Sequence, residues 1–147
     1  MAIQQTTPWT FTNGGRMKLV DRTFTAGAGY KVALFQSTSN IGPTSTVYTS
    51  LTNQVAQANG YTTGGISVTT ALSGTTTVTL SASPSMIWTA SGGSIAARTA
   101  VLYQVSDGSI VAYSTFMDAT GTTPTDMVVT DGNTFTLNPA DGVYDLN

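Results

Sequence analysis

The sequence predicts an all-β protein: an antiparallel β-sandwich, jelly-roll-like, with one short helix and an extended N-terminal arm. Three observations carry this. About a fifth of the 147 residues, 29 of them, are threonine, whose branched, hydroxyl-bearing side chain suits a pleated surface that is half buried and half wet. Short apolar runs recur at spacings near ten residues, separated by Gly, Pro, Asn and Asp, which is the rhythm of an antiparallel sandwich or barrel. No helical pattern lies between successive strands, which argues against a parallel α/β sheet.

Taken in order, residues 1–15 read as an arm: Thr-rich, with Pro8, two glycines and the aromatics Trp9 and Phe11. The sandwich is expected over 16–147. Its strands are predicted at Met17–Asp21, Tyr30–Gln36, Ile66–Thr70, Thr75–Ser81, Met86–Thr89, Ile95–Gln104, Ile110–Phe116, Met127–Thr130 and Thr134–Leu137. The breaks between them hold Gly for positive φ, Pro for preset φ, and Asp that bonds its own backbone. The clearest unit is the hairpin Ile95–Phe116, whose arms meet at Ser106-Asp107-Gly108-Ser109, a favourable tight turn. Both faces of its first arm carry apolar residues, so a central, covered strand is expected. Val47, Leu51 and Val55 recur at i, i+4 and i+8, with Thr44 or Ser45 available as N-cap and Gly60 beyond the end. That spacing predicts a helix of two or three turns; the alternative is an irregular loop, because Thr49, Thr52 and Asn53 are poor helix formers. Asp118–Pro124 reads as a flexible loop.

Composition bounds the function. The chain contains no histidine, cysteine or glutamate, the residue types that carry most acid/base, metal and nucleophilic chemistry at neutral pH. Only 8% of residues are charged, against about 25% in typical domains. Four of the five basic residues lie within the first 31 positions, and six of the seven Asp lie after position 100. Such sparse charge cannot hold a phosphate backbone, so no nucleic-acid partner is expected. A neutral, wet surface of Thr, Ser, Asn and Gln tends to associate rather than repel. The longest apolar runs, such as Val32–Phe35 and Ala100–Tyr103, fall far short of the ~20 residues of a membrane span. A soluble protein with no membrane partner is therefore expected. The opening Met1-Ala2-Ile3-Gln4-Gln5 lacks the pattern of a secretory signal, and without cysteine there is no disulfide.

Each possible site has a plainer structural reading. A Ser–Lys pair is the one serine-hydrolase arrangement left, yet Lys18 and Lys31 lie in ordinary strand contexts. Asp107, Asp131 and Asp141 each precede Gly, where Asp is a turn former rather than half of a carboxylate pair. Asp141 and Asp145, with Asp131, are the available oxygen ligands for calcium, but their spacing fits no loop signature. Gly64-Gly65 and Ser91-Gly92-Gly93-Ser94 lack the Lys-Ser/Thr and helix that a phosphate loop requires. No cofactor, metal or catalytic residue is expected. Trp88 and Tyr61 read as packing residues, the latter at a corner. Trp9, in a polar arm with no periodic partner, is an anchor either onto its own sandwich or onto a neighbouring subunit.

Three pieces occur in fixed order: Lys31-Val32-Ala33-Leu34-Phe35; then Gly60-Tyr61-Thr62-Thr63-Gly64-Gly65 leading into Ile66-Ser67-Val68-Thr69; then Ile87-Trp88-Thr89-Ala90-Ser91 and Ser94-Ile95-Ala96-Ala97-Arg98-Thr99-Ala100-Val101-Leu102-Tyr103. Over about residues 30 to 116 this resembles a widespread group of small tailed-bacteriophage virion structural proteins. The Trp9 arm departs from that group's usual opening segment. The resemblance implies an all-β virion component without catalytic motif, and within the group a capsid decoration (cement) protein. Such a protein would be made in the host bacterial cytoplasm and end on the phage head surface. Its implied partners are the major capsid protein and itself, as a dimer or trimer, with stabilisation by mass action and avidity. The contact is expected at Trp9, Phe11, Arg16 and Lys18, whose basic character suits an acidic capsid surface. The competing expectation is a tail or neck component, or a receptor- or glycan-binding fibre module. A glycan binder needs exposed aromatics on one face with Asp or Asn beside them; Tyr103 and Tyr113, paired across the hairpin, are either that or core.

Overall fold

A computed structural model describes residues 9–137 and the strand Tyr144–Leu146. The elements are β1 (Thr10–Phe11), α1 (Asn13–Val20), β2 (Gly27–Phe35), a 3₁₀ turn (Tyr48–Ser50), β3 (Ile66–Ser73), β4 (Val78–Ser83), β5 (Met86–Thr89), β6 (Ile95–Ala97), β7 (Thr99–Gln104), β8 (Ile110–Thr115), β9 (Met127–Val129), β10 (Thr134–Leu137) and β11 (Tyr144–Leu146). Seven strands form one antiparallel sheet in the order β1-β8-β7-β2-β3-β4-β11. The all-β, antiparallel, sandwich-like architecture with one short helix is the one the sequence predicts.

The second layer is a single long ribbon. Met86–Thr89 pairs with Thr134–Leu137, and Ile95–Ala97 with Met127–Val129. The two halves differ in register by one residue, and they are joined by Ala90 N–H to Asn133 C=O (2.9 Å) and Gly132 N–H to Ala90 C=O (2.9 Å). The ribbon alternates strictly, with Met86, Trp88, Ile95, Ala97, Met127 and Val129 buried and Ile87, Thr89, Ala96 and Val128 exposed. Its inward side chains form one core with Tyr30, Val32, Leu34, Val68, Leu80 and Leu102 of the large sheet. At roughly 1.5–3 kcal/mol per fully buried large apolar side chain, this core is the principal favourable term.

The predicted strand Ile95–Gln104 is two strands in different layers. Arg98 is the corner: its N–H bonds Phe35 C=O at 2.7 Å, and its C=O receives Phe116 N–H at 2.8 Å. Its guanidinium bonds Asp126 at 2.7 Å, so the switch of layer is fixed by residues distant in sequence. Beyond it, Thr99–Tyr103 is buried on both faces, as expected of the central strand.

No two- or three-turn helix forms around Val47, Leu51 and Val55. Val47 and Leu51 are extended, and only Tyr48–Ser50 turns. The backbone is engaged elsewhere: Tyr48 N–H bonds Gly108 C=O at 2.7 Å, Val55 N–H bonds Leu34 C=O at 3.0 Å, and Val47 bridges Ser109. The connection instead lies over the outer face of the sheet, where Ile41, Tyr48 and Leu51 pack on Phe35, Val101, Tyr103 and Ile110. Tyr48 and Tyr103 stack with ring centroids 4.1 Å apart. Tyr61 is the corner residue expected: it is buried, and its hydroxyl accepts from Leu34 N–H and Gln54 Nε2, each at 2.9 Å.

Burial, with the neighbouring Tyr48 and Tyr61, pushes the Tyr103 phenol from its usual 10 up to about 12. Burial also raises Tyr48 and Tyr61. A raised folded pKa stabilises the fold below the unfolded value and loses that contribution as pH rises through the folded one. Unfolding is therefore expected to become easier between about pH 10 and 12, with phenolate absorbance and loss of sheet signal moving together. Tyr103→Phe is expected to flatten that alkaline limb.

The loop returning to β3 closes at Gly65, which has φ +78 and whose Cβ, if present, would lie 1.8 Å from Val32 C=O. Gly65→Ala therefore combines left-handed strain with a backbone clash, and is expected to cost at least about 3 kcal/mol. A shifted denaturant midpoint at unchanged m-value checks this.

Candidate functional site

The residues expected to meet a partner divide sharply. Trp9 and Phe11 are 6% and 1% exposed and belong to the chain's own core, a correction to their reading as contact residues. Their segment is β1, paired with β8 as Thr10 to Tyr113 and Phe11 to Ala112. Residues 9–12 thus belong to the sheet edge and 13–15 open α1; the remainder of the expected arm, 1–8, lies outside the described residues. The cause is a bulge in β8: Leu102 pairs with Ala112 but Tyr103 with Ile110. The Val111 carbonyl then receives Thr12 N–H at 3.1 Å, and Thr12 Oγ1 donates to Ile110 C=O at 2.8 Å.

Thr12 also converts the predicted strand Met17–Asp21 into helix. Its Oγ1 accepts Gly15 N–H at 3.0 Å, and its carbonyl accepts Arg16 N–H at 3.0 Å, an N-cap that opens α1. A Gly inside a helix costs about 1 kcal/mol relative to Ala, yet a Cβ on Gly15 would sit 2.2 Å from Val111 C=O. Close approach of helix to β8 requires glycine there. Leu19 packs inward on the core.

That orientation leaves Asn13, Arg16, Met17 and Val20 exposed, and these are spaced i, i+3, i+4, i+7, one helix face. Met17 is 62% and Val20 80% exposed. A helix packed on a core normally turns its polar side outward; this one presents two apolar side chains flanking a cation. Lys18, at the side, is not a free contact. Its ammonium bonds Gln104 Oε1 and Asp107 Oδ2, each at 2.8 Å, and the Lys18 contact, with Ser109 N–H, holds the Asp107 carboxyl down at about 2. The two ion pairs found among the described residues take Lys18 and Arg98, while Arg16 and Arg22 stand exposed on and just beyond α1.

Elsewhere the surface offers less. The outward face of β3 carries Ser67, Thr69, Ala71 and Ser73, all exposed and uncharged. Tyr103 is buried and Tyr113 half-buried, and no aromatic is among the exposed large hydrophobic residues described. Asp131 Oδ1 accepts Gly92 N–H at 2.8 Å, and Asp141 lies outside the described residues. Among those described, no cluster of three metal-ligating side chains occurs, and no helix is long and apolar enough to cross a membrane. The loop Asp118–Pro124 is an ordered turn rather than a loose one. The Asp118 carboxylate accepts Thr122 N–H (3.0 Å), Thr120 Oγ1–H (2.8 Å) and Thr123 N–H (3.3 Å).

No known protein family, curated protein or solved structure matches this chain.

Proposed function

We propose that this chain is a non-enzymatic phage virion structural protein: a capsid decoration protein that binds the major capsid protein lattice through the outward face of α1. The observation that carries the reading is the exposed stripe Arg16, Met17 and Val20 on a helix seated tightly on β8. Rigid presentation of two apolar side chains reduces the ordering cost of association. Arg16 and Arg22 favour an acidic counter-surface and faster encounter. The lack of His, Cys and Glu fits a protein whose work is contact rather than chemistry. The resemblance of residues 31–35, 60–69 and 87–103 to small tailed-phage structural proteins suggests the virion setting, and a dimer or trimer bridging several lattice subunits would let weak single contacts add by avidity.

The test is co-sedimentation of the purified protein with empty shells assembled from the major capsid protein. Saturable binding at a fixed ratio to shell subunits, weakened by salt, is the expected result. Failure to sediment with shells at any ionic strength would overturn the reading.

A further inference from the structure

Residues 36–65, between β2 and β3, hold one helical element, the turn Tyr48–Ser50. So long a connection carries a closure cost, and it is tied to the sheet at a few backbone points: Tyr48 N–H to Gly108 C=O (2.7 Å), Ile110 N–H to Thr46 C=O (3.0 Å) and Val55 N–H to Leu34 C=O (3.0 Å). At its middle the Tyr48 ring lies flat on Tyr103 of the central strand, with centroids 4.1 Å apart and planes 11° from parallel. Phe35 meets Tyr48 edge-on at 6.1 Å, so the ring is held from two directions. The two phenols point the same way. Tyr103 Oη donates to Gly64 C=O at 2.9 Å; Tyr48 Oη donates to Gln54 Oε1 and lies beside both the Tyr103 hydroxyl and the Gly64 backbone. Stacked rings with their hydroxyls side by side bring the carbons ortho to each hydroxyl opposite one another, at about van der Waals separation. Tyr103 is 6% exposed while Tyr48 is half-buried, so solvent reaches the pair through Tyr48.

We propose that Tyr48 and Tyr103 form an oxidative cross-linking site, at which an oxidant of the peroxide class joins the two rings as dityrosine and staples the 36–65 connection to β7. Tyr48 gives one electron to the oxidant and its hydroxyl proton to water. Electron transfer across the stack moves the radical to Tyr103, and a second oxidation of Tyr48 leaves one radical on each ring. A carbon–carbon bond forms between the two ortho carbons, and the hydrogen on each of them is lost to water as the phenol oxygen regains one. In sum two electrons pass into one peroxide O–O bond, which is cleaved, and two protons pass to solvent. Joining the carbons requires the rings to slide edge to edge; Tyr48, half-buried on its turn, tilts while Tyr103 stays fixed in the strand. Because the partners are held in contact, coupling within this pair outruns chance encounter between tyrosines of different molecules. The chain has no cysteine, so no disulfide can play this part. A bond closing about 55 residues of chain constrains the unfolded state as a disulfide of that span does.

The full chain, at low concentration, is oxidised with persulfate and light-excited trisbipyridylruthenium. The expected result is dityrosine fluorescence in the monomer band on a denaturing gel. Peptide mapping is expected to show one joined pair, linked at residues 48 and 103 and lighter than its two parts by two hydrogens. The cross-linked chain is expected to melt roughly 10 °C higher than the untreated one. Tyr48→Phe keeps the ring stack and is expected to lose the monomer fluorescence; Tyr103→Phe, a substitution on the other ring, is expected to do the same. Four outcomes would overturn the proposal: no dityrosine in the monomer band, cross-links mapped to other tyrosines, fluorescence that survives Tyr48→Phe, or a joined chain with an unchanged melting temperature.

Discussion

Phe11→Ala is expected to lower the unfolding free energy by about 3–5 kcal/mol, the cost of emptying a Phe-sized volume in a close-packed core. Marginal stability of about 5–15 kcal/mol makes that a large share of the total. The argument is local and specific. Phe11 is 1% exposed, lies opposite Ala112 in the strand ladder, and a Cβ on Gly15 would come within 3.0 Å of its ring. Losing it empties space under α1 and loosens β1, whose two residues contribute little pairing of their own. Urea unfolding followed by circular dichroism measures the change. A loss below about 1 kcal/mol would mean that β1 is detached in solution and that its aromatics are free for a partner.

The second large effect is on association. Met17→Asp with Val20→Asp is expected to weaken binding to capsid shells at least about a hundredfold, because two carboxylates would be desolvated where two apolar side chains were buried. Both positions are exposed, at 62% and 80%, so the unfolding free energy is expected to fall by only about 1–1.5 kcal/mol, from the poorer helix propensity of Asp and its charge in the last turn of α1. Arg16→Glu is the milder companion: its effect falls on the association rate and fades with salt. Binding unchanged by the double substitution would place the contact elsewhere on the molecule.

What was legible in the chain was what local chemistry decides. β5 and β10 run over the predicted residues, Met86–Thr89 and Thr134–Leu137, because alternating side chains are bounded by turn formers on both sides. Trp88 and Tyr61 are packing residues for the same reason: each sits among apolar or corner-forming neighbours. The errors share a cause, the pull of residues distant in sequence. Gly14-Gly15 reads as a break in isolation, and only the Val111 carbonyl makes glycine the residue a helix needs there. Val47, Leu51 and Val55 keep helical spacing, but their segment pairs with Leu34, Gly108 and Ser109 and follows the outer sheet face.

The candidate site was half legible. Arg16, singled out by its charge, stands exposed on α1. Met17 and Val20 were hidden by a strand reading that placed them on opposite faces; with Thr12 taken as an N-cap, the spacing of Asn13, Arg16, Met17 and Val20 shows one stripe. Trp9 and Phe11 misled because their surroundings in sequence are polar, while the β8 residues that pair with Thr10 and Phe11 stand about a hundred positions away.

The most direct measurement of the proposed role is cryo-electron microscopy of virus particles made in cells that produce this chain. The expected result is density at regular lattice positions on the outside of the head, with α1 turned to the major capsid protein and Met17 and Val20 inside the contact. Density confined to the neck, tail or fibres, or head-bound density with α1 facing solvent, would contradict the account.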